Sequence, residues 1–142
     1  MKMNNYTKFV KNNIIITSKY LFYISNIFLI IFYLYPGSIF GCFIYNDCGI
    51  QPQLTKDFAS NTISSNHVYV FAFISLLGFI AYSKKTEFLK VVIYLFLISI
   101  ILELTHLVIP ERGFETKDVA GNILGVIVSL TIFFIFKVRS KI

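Results

Sequence analysis

Tryptophan is absent from this 142-residue chain, and only two cysteines, three prolines and two histidines occur in it. Two cysteines cannot supply a four-thiolate zinc site or a multi-bridge disulfide framework. Three prolines, at positions 36, 52 and 110, leave long stretches free to be helical. Charge is scarce too: 14% of residues are charged, against roughly 25% in soluble domains, and only seven are acidic. A water-soluble fold of this size needs more polar surface than that.

Apolar material fills the gap. The chain is 56% hydrophobic, with sixteen Phe, nine Tyr and a mean hydropathy of +0.74. A bilayer is the solvent such surface requires. The net charge of +6 does not indicate nucleic acid, because the basic residues sit in short clusters between apolar runs. Nucleic-acid binding calls for a basic stripe on one face.

Four apolar stretches read as membrane spans, at about residues 19–40, 65–83, 88–108 and 118–136. Each approaches the roughly 20 residues that cross a bilayer core. The second is the weakest, since its uninterrupted core runs only from Val68 to Tyr82. The expected fold is all-α: one polytopic domain over residues 1–142, with four transmembrane helices in a small bundle.

Lysine and arginine set the expected orientation. Lys2, Lys8, Lys11 and Lys19 precede span one, Lys84, Lys85 and Lys90 border the turn after span two, and Lys137, Arg139 and Lys141 follow span four. Only Lys56, Arg112 and Lys117 fall on the opposite side. Ten against three predicts cytoplasmic termini in a multi-pass protein of the inner or plasma membrane, with the loops near 41–64 and 109–117 facing outward. The first apolar run exceeds a signal-peptide core and no A-x-A site follows it, so span one is expected to remain. Bulky Phe40 makes Ile39-Phe40-Gly41-Cys42 a poor lipoprotein processing site.

Cys42 and Cys48 flank the outward end of span one. Two readings stand: a small disulfide formed in an oxidising compartment, or two unpaired thiols with one buried at the helix end. The polar segment that follows, with Pro52 and no apolar period, reads as a surface connection.

Six polar residues converge on the outward side: His67, Glu103, His106, Arg112, Asp118 and Asn122. Only Arg112 entered the charge count. Glu103 and His106, three apart, share a helix face, as do Asp118 and Asn122, four apart. Glu103 lies five residues inside Val108, or roughly 7–8 Å. The groups therefore form one shallow layer instead of a path across the membrane. A carboxylate inside a span costs several kcal/mol unless paired or wetted, so Glu103 requires a partner. A purely structural account has Glu103 neutralised by His106 or His67, Arg112 bridging to an acid, and Asp118 capping the fourth helix. For Asp118 alone, capping is the favoured role. For all six together a binding site is favoured, because a four-helix bundle does not need so many such groups. Gly121-x-x-x-Gly125 followed by Ser129 is a small-residue stripe suited to close helix approach.

The segment ELTHLVIPERGFETKDVAGNILG resembles the hallmark of the VanZ-like family, approximately E-x-x-Q, then P-x-R, then D-x-x-x-N-x-x-G. Glu103, Pro110, Arg112, Asp118, Asn122 and Gly125 match in order and spacing. NHVYVFAFISLLG resembles the family's other motif, a His opening an aromatic-rich helix, here His67. His106 departs from the usual Gln, and Ile63 stands where the family often places Asp. The resemblance covers roughly residues 65–130 and implies a four-span cell-envelope protein. The family's founding member is associated with low-level teicoplanin resistance.

The expected function is binding of an anionic or lipid-linked envelope ligand, held by Arg112 and shaped by His67, Glu103, His106, Asp118 and Asn122. The alternative is an enzyme acting on a lipid-linked or peptidoglycan-related substrate, with His67, Glu103 or Asp118 as catalytic candidates. A transporter is disfavoured because no polar layer marks the inner side. Membrane lipids are the expected partners. No cofactor is predicted, and no metal: His67, Glu103, His106 and Asp118 are a usable N/O set, but no HExxH-type spacing supports one.

Overall fold

The structure, a computed structural model, describes residues 5–139. Lys2 and Lys141, counted above, lie outside them. The described residues form five helices: α1 (Asn5–Leu34), α2 (Ile39–Tyr45), α3 (Ser65–Ala81), α4 (Lys85–Thr105) and α5 (Thr116–Arg139). Stretches Lys8–Leu34, Thr86–Thr105 and Thr116–Arg139 are long and apolar enough to cross a membrane. Helix α3, at 17 residues, is apolar but shorter, about 25 Å.

The predicted boundaries hold best for the last three helices. The first differs at both ends. Helix α1 starts well before Lys19 and stops at Leu34, because Pro36 disfavours helical geometry at the residue before it. The chain then restarts as α2, whose N-cap Ser38 accepts the amide of Gly41 at 3.0 Å. A Cys42–Cys48 disulfide and a 2.7 Å bond from the Ser38 amide to the Cys48 carbonyl close this segment. Of the two cysteine readings, the structure has the disulfide.

The segment between α2 and α3 is polar, as its composition implies, and it is tied down locally. Asp57 accepts the Ser65 amide at the start of α3, Ser65 donates to the Thr55 carbonyl, and Asn66 donates to the Pro52 carbonyl. Phe58 and Ile63 form an isolated antiparallel bridge.

Each long helix buries one stripe. On α1 it is Ser18, Phe22, Asn26, Leu29 and Tyr33, and on α4 it is Val91, Leu95, Ser99, Leu102 and Glu103, with His106 at its C-cap. The three- and four-residue spacing keeps these side chains on one face. The opposite face of α4, Leu89, Ile93, Leu97 and Ile101, is at least half exposed and wholly apolar. That is the surface of a helix solvated by lipid on one side and protein on the other.

Helices α1 and α4 run antiparallel to α3 and α5, and α3 packs most extensively on α5. The small-residue stripe permits this. A Cβ on Gly125 would fall 2.6 Å from the Val68 carbonyl oxygen and 2.8 Å from the Ala72 nitrogen. One on Gly121 would fall 2.5 Å from the Ser64 carbonyl oxygen. One turn further on, Ser129 donates to the Ala72 carbonyl at 2.5 Å. Backbone-to-backbone approach of this kind is what small residues allow between helices.

Candidate functional site

The inner stripes change character along the bundle. On α4 they run from Val91 and Leu95 to Ser99, Glu103 and His106. Helix α5 runs the other way, from Asp118 and Asn122 toward Val126. Because these helices are antiparallel, their polar halves meet at one end. The C-terminal ends of α1 and α4 and the first turns of α3 and α5 all contribute. His67, Glu103, His106, Asp118 and Asn122 come together there, joined by Tyr33 of α1.

Asn122 organises the centre. Its Nδ2 donates to the Ser99 carbonyl at 2.9 Å, which fixes the amide and leaves Oδ1 as an acceptor. Tyr33 donates its hydroxyl to that oxygen at 2.9 Å. His67 Nδ1 lies 2.9 Å from the same oxygen and 2.7 Å from the Tyr33 hydroxyl. With Tyr33 already donating to Asn122, Nδ1 must carry a proton. In the neutral ring the lone pair is then on Nε2, which faces Asp118 Oδ2 at 3.5 Å.

Glu103 and His106 form a second pair beneath the first. Glu103 Oε1 accepts the Glu115 amide at 3.1 Å and faces His106 Nδ1 at 3.2 Å. His106 Nε2 lies 3.2 Å from the Tyr33 carbonyl oxygen, and Tyr33 stacks on the ring at 5.2 Å. Both ring nitrogens of His106 face oxygen acceptors. The other carboxylate oxygen, Oε2, has no hydrogen-bond partner among the described residues, although Glu103 is completely buried. A buried acceptor left unpaired costs about 1–3 kcal/mol, and more for a charged group.

Arg112 does not bridge to an acid as a structural account expected. Its Nη2 donates to the Phe32 carbonyl at 2.8 Å and its Nε to the Tyr35 carbonyl at 3.3 Å. These are carbonyls at the C-terminal end of α1, where the helix leaves acceptors without internal donors. Burial pulls the guanidinium below its ordinary pKa, while Tyr33, Glu103 and Asp118 pull it back up. Arg112 thus secures the end of the helix that carries Tyr33.

Asp118 also departs from expectation. Helix α5 begins at Thr116, so Asp118 lies inside the first turn and is not the cap. Its negative charge still suits a helix N-terminus. The α3–α5 junction beside it is also held through the backbone: the Ser64 amide donates to the Lys117 carbonyl at 3.1 Å. Lys117 Nζ pairs with Glu115 at 2.9 Å and Asp57 at 3.6 Å. Asp118 also answers the question raised by Ile63, since the acid facing His67 comes from α5 and not from the preceding loop.

One ring nitrogen of His67 and one carboxylate oxygen each from Glu103 and Asp118 lie within 4.8 Å of one another. The His67 side chain is 18% exposed, so the cluster touches the surface through it.

Tyr33 is the site residue that sequence reasoning missed. It sits in FYLY among other aromatics of the first helix, and only its spacing of four residues from Leu29 and seven from Asn26 marks it as inward-facing. Ser99 is the second, and it enters through its backbone carbonyl, which accepts from Asn122.

No curated protein and no solved structure matches the chain. A family model does: VanZ/LLP1 matches residues 5–137, which takes in every described helix through Lys137. This chain, with its acid, Arg, acid and Asn gathered at one end of an apolar bundle, belongs to the VanZ/LLP1 family.

Proposed function

We propose that this protein is a four-span component of the cell envelope that binds an anionic or lipid-linked ligand at an extracytoplasmic polar site. Both termini are cytoplasmic in this reading. The carrying observation is the fully buried Glu103 with an unpartnered Oε2, set beside His67, Asp118 and Arg112 at one end of the bundle. Buried carboxylate oxygens are rarely left without a partner, and this one lies among the other polar groups of the cluster. Orientation is supported by the lysine and arginine count, and by the described ends of α1 and α5 lying at the bundle end away from the cluster. A link to glycopeptide resistance is part of the same proposal, resting on family membership alone.

One observation favours catalysis as a second reading. The partly exposed His67 has its Nε2 toward Asp118 and its Nδ1 held by Asn122 and Tyr33. A partly exposed imidazole held by polar groups at one nitrogen and facing a carboxylate at the other is an arrangement suited to proton transfer.

Purification in native lipid followed by mass spectrometry tests the ligand class. Enrichment of one phosphate-bearing or polyprenyl-linked lipid over the bulk membrane is expected, with loss of that enrichment in Asn122→Ala. A bound-lipid profile identical to the bulk membrane would sink the proposal. A reporter fused to the C-terminus should score as cytoplasmic, and an external score would reverse the orientation.

A further inference from the structure

We infer that His67, Glu103 and Asp118 bind a single divalent transition-metal cation, of the kind that accepts mixed imidazole and carboxylate ligands. The inference rests on taking this cluster as the functional site, and it adds a component the sequence spacing did not suggest. Three observations carry it.

The first is placement. The three donors lie within 4.8 Å of one another, and His67 Nε2 is 3.5 Å from Asp118 Oδ2. Ligands about 2.1 Å from a tetrahedral zinc are roughly 3.4 Å apart, so that pair already has the required spacing. Glu103 needs only to close the remaining gap.

The second is the state of each donor. Nδ1 of His67 donates into Asn122 and Tyr33, which leaves Nε2 with the lone pair a metal requires. Asn122 is itself locked by the Ser99 carbonyl at 2.9 Å. This is the outer support that metal-ligating histidines use to fix tautomer and ring orientation. Oε1 of Glu103 is occupied by the Glu115 amide and faces His106, so the unpartnered Oε2 is the oxygen left for a cation.

The third is charge. Two carboxylates and a neutral imidazole balance a divalent ion, which removes the cost of holding two acids close together in an apolar bundle. A protonated His67 would balance Asp118 alone and leave Glu103 Oε2 unpartnered. The same cation resolves a conflict in the proposed function, since two bare carboxylates repel an anionic ligand and a cation with open positions attracts one. His106, on the far side of Glu103 Oε1, orients that carboxylate without being a ligand.

The test is metal uptake by the tag-free full chain in phospholipid nanodiscs, stripped with chelator and titrated with ZnCl2 and, separately, MnCl2. Calorimetry should show saturable uptake of one ion per chain for at least one metal, with a rise in unfolding temperature. His67→Asn and Asp118→Asn should each weaken that affinity at least tenfold, as should Glu103→Gln, while His106→Gln changes it less than any of the three. A folded wild-type protein that takes up neither metal would overturn the inference, as would unchanged affinity in all three ligand variants. Should a variant fail to fold, X-ray absorption on the metal-loaded wild type decides instead: one nitrogen and oxygens in the first shell support it, and a sulfur shell refutes it. Failure here leaves the lipid-enrichment test standing, so the two proposals fall separately.

Discussion

The two ends of this bundle are built by different physics. At the end where α1 begins and α5 finishes, Phe79, Phe88, Phe133 and Phe134 meet ring to ring at 5.2–6.0 Å, and Lys137 lies over the Phe88 and Phe133 rings. Tyr82 stacks edge-on to Phe22 and its hydroxyl meets that of Tyr23. At the other end Tyr33, His67, Glu103, His106, Asp118 and Asn122 meet atom to atom through directed bonds. The aromatic end asks for volume, and many side chains supply volume. The polar end asks for particular donors and acceptors, so a change of one atom matters there. The first end holds the bundle closed, and the second has the specificity expected of a site.

Substitutions can break or sharpen that contrast. The largest effect belongs to the stripe connecting the two ends: Gly125→Leu should destabilise the protein by about 3 kcal/mol or prevent folding, because its Cβ meets the α3 backbone. Thermal unfolding in detergent checks this, and a near-wild-type midpoint would mean that α3 and α5 do not pack as closely as described. Next, Asn122→Ala removes the acceptor shared by Tyr33 and His67 and the bond that ties α5 to the Ser99 carbonyl, at a cost of about 2 kcal/mol. It should also abolish ligand enrichment. At the aromatic end Phe133→Leu should cost only about 1 kcal/mol and leave ligand binding intact. Loss of binding in Phe133→Leu would show that the two ends are coupled. The smallest change, with the opposite sign, is expected for Glu103→Gln in chelator-stripped protein: unfolding temperature unchanged or slightly raised, with binding lost. Replacing a buried carboxylate that has one unpartnered oxygen relieves the fold while disabling the site.

Much of this was legible from residue order. Apolar run length located four helices, and the E, R, D and N spacing located the polar layer. Gly121 and Gly125 were readable as a close-packing stripe because no other residue type lets two backbones approach so near. Other features depended on partners far away in the chain. Arg112 looks like an anion fork in a list of residues, yet two of its nitrogens serve carbonyls of α1, about 80 positions earlier. Asp118 resembles a cap until the helix is seen to begin two residues before it. Tyr33 is one tyrosine among nine until α1 is placed against α3, α4 and α5. Helix one was misplaced because hydropathy alone does not weigh the polar start of α1 or the break that Pro36 imposes.

By itself the sequence determined that the chain is helical, that lipid suits its surface, and which polar residues share a depth. Those properties follow from composition, periodicity and spacing, all of which are local. Only the tertiary structure decided which groups touch. Antiparallel packing brings the end of α4 to the start of α5, one asparagine then sets the tautomer of a histidine 55 residues away, and Glu103 is left with one oxygen unmatched. Hydrogen-bond complementarity is a property of distances between helices, and no spacing along a single helix encodes it.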